Sequence, residues 1–557
     1  CQAALLDLTP RPAYHRRDMK RRYATFSLAL LAACAGTPSS KTAVPDPFSV
    51  RVALVGNPAV TDIRFDDAQI GALKRLGFTT VQINLAWGSR PADEPLNLED
   101  VPAKAAELRR RIERSRAHGL KTLFHFGAPK THWVDNPPDC ILDPAVTRRY
   151  RDLIAKLGEL CPGIDDLLVY TYDQAAWLCN EFGPCKRCRG VPLHERLPAF
   201  LQGLTEAWHQ VNPEGRLWWE PWELSAGQTL SIIEALPGRG FGLMLHNTIA
   251  EVQMARLPDP WVRNMAHRAS QRGIPVVVEM FMGGATEEVD PLQDVACPGL
   301  VWDQLQAIRA IPGVVGVKEY FGLRPDRDDP NLRMASLVFA DPAIGRDQAL
   351  RRLSTSDVVL EGWAHAADAM RVFPWDASWH IRRLGMRNPD HGWDGAMMRG
   401  EVAPTPSWRS SRRSAFMVCE DLMNPNPWML EDVGRRCGLA AAAFRRACDA
   451  YTRAGATLWR DDAAILVRSA DTYRLHIAET LVAGHLRKGM TPDLIRQMKE
   501  LLDADVENQA GAEGVRKVRD AFAADPAAWL KTHLLPAAGP RPHATDMDLY
   551  RKGLTTP

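Results

Sequence analysis

Seven apolar runs in this chain end in side chains able to carry a proton, a charge or a hydrogen bond. Asn84 and Trp87 close "TTVQINLAW" and His125 sits in "KTLFHFG". Asp173 ends "DLLVYTYD", with Trp177, Asn180 and Glu181 soon after, while Glu220, Trp222 and Glu223 lie in "RLWWEPWE". His246 and Asn247 close "GLMLHN", Glu279 stands in "PVVVEMF", and Lys318 and Glu319 in "VVGVKEYF". Two carboxyl groups astride a bond can share acid and base work, one protonating a leaving oxygen while the other attacks or activates water. Sugars suit the rest of the set, because ring hydroxyls bond to Asp, Glu, Asn and His and C–H faces stack on tryptophan. Taken singly, each carboxylate is equally a loop anchor, and Glu319 reads as the ion-pair partner of adjacent Lys318. Taken together on successive runs, they point to a pocket.

The elements that position them repeat. Between residues 49 and 325 eight apolar runs alternate with stretches of helical periodicity, such as Leu197, Phe200, Leu201, Leu204 and Trp208. Several helices stop at a glycine just before the next run, as in "RLGFTTV", "QRGIPVV" and "IPGVVGV". Eight such units in this length predict an α/β fold, a (β/α)8 TIM barrel, whose functional residues gather where the strands end. An open doubly wound sheet is disfavoured, since no glycine-rich fingerprint follows the first run. Strand alternation lets only one of Trp218 and Trp219 face inward, and likewise one of Glu220 and Glu223 unless Pro221 ends the strand.

Two short motifs carry a resemblance. "CNEFG" (179–183) is similar to the Asn-Glu that follows the fourth strand in clan A glycoside hydrolases, and "VVVEMF" (276–281) places Glu279 where that clan keeps its nucleophile. The resemblance implies catalysis by Glu279 with Glu181 as acid. A strand ending at Asp173 before a cysteine-bearing loop, and "AHAADAMRVFPW" (364–375) beyond the barrel, are closer to relatives of families 20 and 67. On that resemblance Asp173 is the acid. Asn84, Trp87, His125, Trp177, Asn180, Glu220, Trp222, Glu223, His246, Asn247 and Glu319 are then the expected sugar-binding residues. Two other functions fit the same residues, a carbohydrate-binding protein without catalysis and a metal-dependent hydrolase.

The remainder of the chain sets location and bracing. With 69 basic against 67 acidic residues in 557, no global field would hold nucleic acid. "MKRRYATFSLALLAACAG" from Met19 resembles a bacterial lipoprotein signal, which implies lipidation at Cys34 and a place in the envelope, in the periplasm or on the outer membrane of a Gram-negative cell. Residues 1–18 are then an upstream segment of the reading frame, 19–34 the signal and 35–48 a Ser/Thr/Pro-rich tether. Past residue 325 helical patterns dominate, so 326–557 is expected to be a mainly helical domain interrupted by the polar stretch 385–414. Cys179, Cys185 and Cys188 form C-x5-C-x2-C, read as a loop-bracing disulfide ahead of structural zinc, whose fourth ligand would come from Cys140, Cys161 or His194. No cofactor is expected, and no catalytic metal.

Overall fold

The computed structural model describes residues 48–54, 65–83, 98–129, 139–171, 181, 185–221, 224, 226–246, 257–282, 295–320, 323, 325, 328–373, 427–509, 511 and 513–532. Cys1–Pro45 forms one unit, outside the described residues, and Asp46–Pro557 another. Cys34, the proposed lipid site, therefore falls outside the description, as does the 385–414 stretch.

Eight parallel strands close into a barrel in chain order: β1 Val50–Leu54, β2 Thr80–Ile83, β3 Lys121–Gly127, β4 Asp166–Thr171, β5 Leu217–Pro221, β6 Phe241–His246, β7 Val276–Met280 and β8 Val314–Glu319. The (β/α)8 barrel expected from the alternating runs is thus the fold. Each strand is followed by a helix: α1 Asp67–Arg75, α2 Val101–Ala117, α3 Pro144–Leu160, α4 Leu193–Val211, α5 Ala226–Ala235, α6 Pro260–Gln271, α7 Pro298–Arg309 and α8 Pro330–Ala340. Aspartates open several of these helices. Asp66, Asp143 and Asp329 accept from the backbone N–H groups of Gln69, Ala145 and Asn331, which relieves unpaired donors in the first turns of α1, α3 and α8. Gly313, just before β8, adopts φ 84°, and a Cβ there would meet Ser270 at 2.4 Å. Only glycine fits that turn. At the seam, a Cβ on Gly316 would lie 1.9 Å from the Val50 carbonyl oxygen, so a bare backbone lets β8 pair with β1.

Period-two alternation separates two cores. Val81, Phe124, Val169, Trp219, Leu243 and Val278 face outward into the large core shared with the helices. Val52, Leu123, Leu168, Trp218, Met244 and Val277 form a separate apolar plug inside the barrel. Of the tryptophan pair, Trp218 thus points inward and Trp219 outward, where its indole N–H donates to Thr171 at 2.8 Å. Trp218 Nε1 donates to Asp166 at the strand's beginning, at 3.1 Å, so neither indole serves the end where chemistry is expected.

The chain continues through α9 Arg346–Leu353 and α10 Asp357–Val372, then α11 Pro427–Ala454, α12 Thr457–Lys488, α13 Pro492–Asn508, α14 Glu513–Ala524 and α15 Pro526–Thr532. This helical region is packed on the barrel. Asp303 of α7 pairs with Arg346 and Arg371 at 3.0 and 3.1 Å, and Arg436 of α11 donates to the Val372 and Phe373 carbonyls that end α10. Aromatic rings lock the next layer, with Trp363 edge-on to Trp459 at 5.4 Å. No helix among the described residues is long and apolar enough to cross a membrane.

Candidate active site

One step beyond the apolar plug, the same alternation places a polar layer. Two residues after Leu123, Trp218, Met244, Val277 and Gly316 stand His125, Glu220, His246, Glu279 and Lys318, all buried. Register aligns the last three across the sheet, His246 with Glu279 and Glu279 with Lys318. The strand ends therefore hold a charged cluster on an apolar floor.

Its contacts are specific. Lys318 Nζ donates to Glu279 Oε1 at 2.5 Å and lies 3.9 Å from Glu220 Oε2. His246 sits between the carboxylates, with Nδ1 3.1 Å from Glu279 Oε2 and Nε2 3.6 Å from Glu220 Oε1. Ligand atoms of Glu220, His246 and Glu279 all fall within 4.8 Å of one another. His246 is held edge-on by Tyr320, ring centres 4.7 Å apart.

Burial governs the protons here. It pushes both Glu220 and Glu279 above the ordinary carboxylate range, and the Glu220 charge pushes Glu279 further, while Lys318 pulls both down. Burial alone would lower Lys318, but Glu279 and Glu220 outweigh it and keep the ammonium above its usual value. His125 is pushed down to about 3, first by burial and then by Lys318, so it is neutral at physiological pH. One ammonium faces two carboxyl groups, bonded to Glu279 and 3.9 Å from Glu220. Two buried carboxyls that share one ammonium unequally are the arrangement from which acid and base roles can separate.

The other predicted residues are distributed differently. Asn84, Trp87, Asp173, Trp177, Cys179, Asn180, Trp222, Glu223 and Asn247 lie outside the described residues, as do parts of all eight loops that follow the strands. Glu181 does not join the group around Glu279 among the described residues. Its carboxylate lies 3.8 Å from Arg196 Nη2, and its carbonyl accepts from the Gly190 N–H. Glu319, expected as a sugar ligand and as the ion-pair partner of Lys318, is fully buried, and its charge is one of those that raise Lys318. Adjacent strand residues face opposite ways, so Lys318 turns into the barrel while Glu319 accepts from the Met282 N–H at 2.7 Å. Lys318, read from the sequence only as the neighbour of Glu319, is the cation of this layer. The signal was its two-residue step from Gly316 on a strand whose neighbours carry Glu279 and His246.

The cysteine motif also changes. The partner of Cys185 and Cys188 in the described structure is Cys140, brought from the segment before α3, with Sγ separations of 3.4 Å to Cys188 and 3.8 Å to Cys185. All three are thiols, not a disulfide. Burial and the neighbouring Cys140 push the Cys188 thiol up to about 12.

No protein-family model and no curated protein matches the chain. Solved structures do. An enzyme of glycoside hydrolase family 138 targeting pectin rhamnogalacturonan II matches with a TM-score of 0.48 and 11% identity, over 85% of this chain and 77% of that one. An O-GlcNAc hydrolase from Thermobaculum terrenum matches with 0.40 and 12%, over 80% and 97%. A family 5 broad-specificity endoglucanase from Clostridium longisporum matches with 0.34 and 12%, over 55% and 97%. These are matches of backbone course, and no residue role passes from those proteins to this one.

Proposed function

We propose that this chain is a glycoside hydrolase acting on an oligo- or polysaccharide, with Glu279 as nucleophile and Glu220 as acid and base. The observation that carries the reading is the pair of buried carboxyls at the ends of β5 and β7, which share the Lys318 ammonium unequally. An oxygen of each lies within 4.8 Å of one of the other's, close enough to speak against the separation of about 6.5–9.5 Å that an inverting reaction needs. In the first half-reaction Glu279 attacks the anomeric carbon as Glu220 passes its proton to the departing oxygen. In the second, Glu220 takes a proton from water as that water displaces Glu279. His246 orients both carboxyls, and the Lys318 ammonium offsets the charge that Glu279 regains.

Metal-dependent hydrolysis uses the same three ligands less well. The Lys318 ammonium already stands 2.5 Å from Glu279, where a divalent cation would be repelled.

Glu279→Gln and Glu220→Gln separate the roles on aryl glycosides of graded leaving group. The Glu279 variant should lose turnover by at least about 10³-fold on every substrate. The Glu220 variant should fail on poor leaving groups and recover on activated ones, which need no proton. Wild-type turnover in the Glu279 variant would end the proposal.

Export to the envelope belongs to the same proposal, supported by the sequence Leu31-Ala32-Ala33-Cys34 after an apolar run. Cys34→Ala should move the protein from the membrane pellet to the soluble fraction of its host. An unchanged pellet would remove lipidation from the account.

A further inference from the structure

We infer that Cys140, Cys185 and Cys188 form a thiolate site for a zinc ion that ties together the loops after β3 and β4. The inference does not depend on the reaction proposed above.

Three features of the geometry carry it. The sulfurs come from segments 45 residues apart, yet their Sγ atoms all lie within 4.8 Å of one another. A tetrahedron of sulfurs around zinc, with bonds of about 2.3 Å, has edges of about 3.8 Å, whereas a disulfide joins two sulfurs at about 2.05 Å. The observed 3.4 and 3.8 Å match the tetrahedral edge.

Charge is the second feature. Arg196 on α4 is 2% exposed, and its Nη1 donates to Cys188 Sγ at 3.3 Å. A divalent cation with three thiolates leaves one negative charge, and the guanidinium cancels it. Donation to a ligating sulfur is also how an outer group steadies a metal ligand.

Placement is the third. Cys140 precedes α3 and the other two cysteines precede α4, so the ion would join neighbouring units of the barrel. Through Arg196 the same site reaches Glu181 at 3.8 Å, in the loop that follows β4.

Zinc binding replaces three S–H bonds with Zn–S bonds and releases three protons, with no change of oxidation state. The full chain, purified without chelator, should hold about one zinc, read by elemental mass spectrometry. Cys140→Ser and Cys188→Ser should each cut this at least tenfold, while Cys448→Ser, outside the cluster, should keep it. Cobalt(II) exchanged into the wild type should show thiolate charge-transfer absorption that Cys188→Ser lacks. A chelator applied to wild type should expose three thiols together to alkylation, a readout that holds even where a serine variant misfolds. Absence of zinc after incubation with Zn(II), metal retained in both cluster variants, or an intact mass two hydrogens low would each overturn the site.

Discussion

Glu220, His246 and Glu279 inside the barrel and Cys140, Cys185 and Cys188 at its edge each gather three ligand-type side chains within 4.8 Å. They differ in how charge is met. Inside the barrel the cation is part of the chain, because Lys318 places its ammonium between two carboxyls. At the edge the cation belonging to the chain, Arg196, meets one sulfur, which leaves the centre of the triangle to an ion from outside. A lysine can hold carboxylates in unlike protonation states and so favours proton transfer. Three thiols with no central charge favour coordination. Similar spacing thus leads to different chemistry through the position of one positive group.

The largest test of this contrast removes the internal cation. Lys318→Met leaves two buried carboxyls without their ammonium, and breaking such a group costs about 3–5 kcal/mol. Urea unfolding at neutral pH should show that loss. Glycosidase turnover should fall with it, since Glu279 loses the ammonium bonded to it. The vacated position should also accept a metal, so added Mn2+ should raise the variant's melting temperature and leave wild type unmoved. Equal stability of the two proteins, with no response to Mn2+, would mean that Lys318 does not set the charge of the layer.

Much of the barrel was legible in the sequence because its causes are local. Strand alternation allowed only one of Trp218 and Trp219, and one of Glu220 and Glu223, to face inward, and the structure turns Trp218 and Glu220 in, while glycines such as Gly313 marked where helices give way to strands. The pairing of charges was not legible, because it depends on register across the closed sheet. Lys318 meets Glu279, 39 residues away, and not the adjacent Glu319, whose side chain alternation sends to the other face. The same limit hid Cys140, 48 residues before Cys188, behind the compact motif that begins at Cys179. It also made Glu181 look like the nearer acid, although the residue opposite Glu279 is Glu220.

A smaller effect separates the two clusters by pH. His125 lies in the polar layer, and its folded pKa of about 3 is below the ordinary 6.5 because burial and then Lys318 disfavour its charge. A group whose folded pKa is depressed gives its full stabilisation above the unfolded value and loses it as pH falls toward the folded one. Wild type should therefore lose about 2 kcal/mol between pH 7 and pH 5 from this ring alone. The buried carboxyls oppose it, since their raised pKa values favour the folded state in acid and cost stability as pH rises. Cys188 takes no part, since burial and Cys140 push its thiol up to about 12, far above that window. His125→Phe should flatten the acid side of the stability curve by that 2 kcal/mol, measured as the difference between urea unfolding at the two pH values. The Cys188→Ser curve should keep the wild-type slope. Identical slopes in wild type and His125→Phe would show that the imidazole is not held neutral by the barrel, and the polar layer would lose its claim to tune protons.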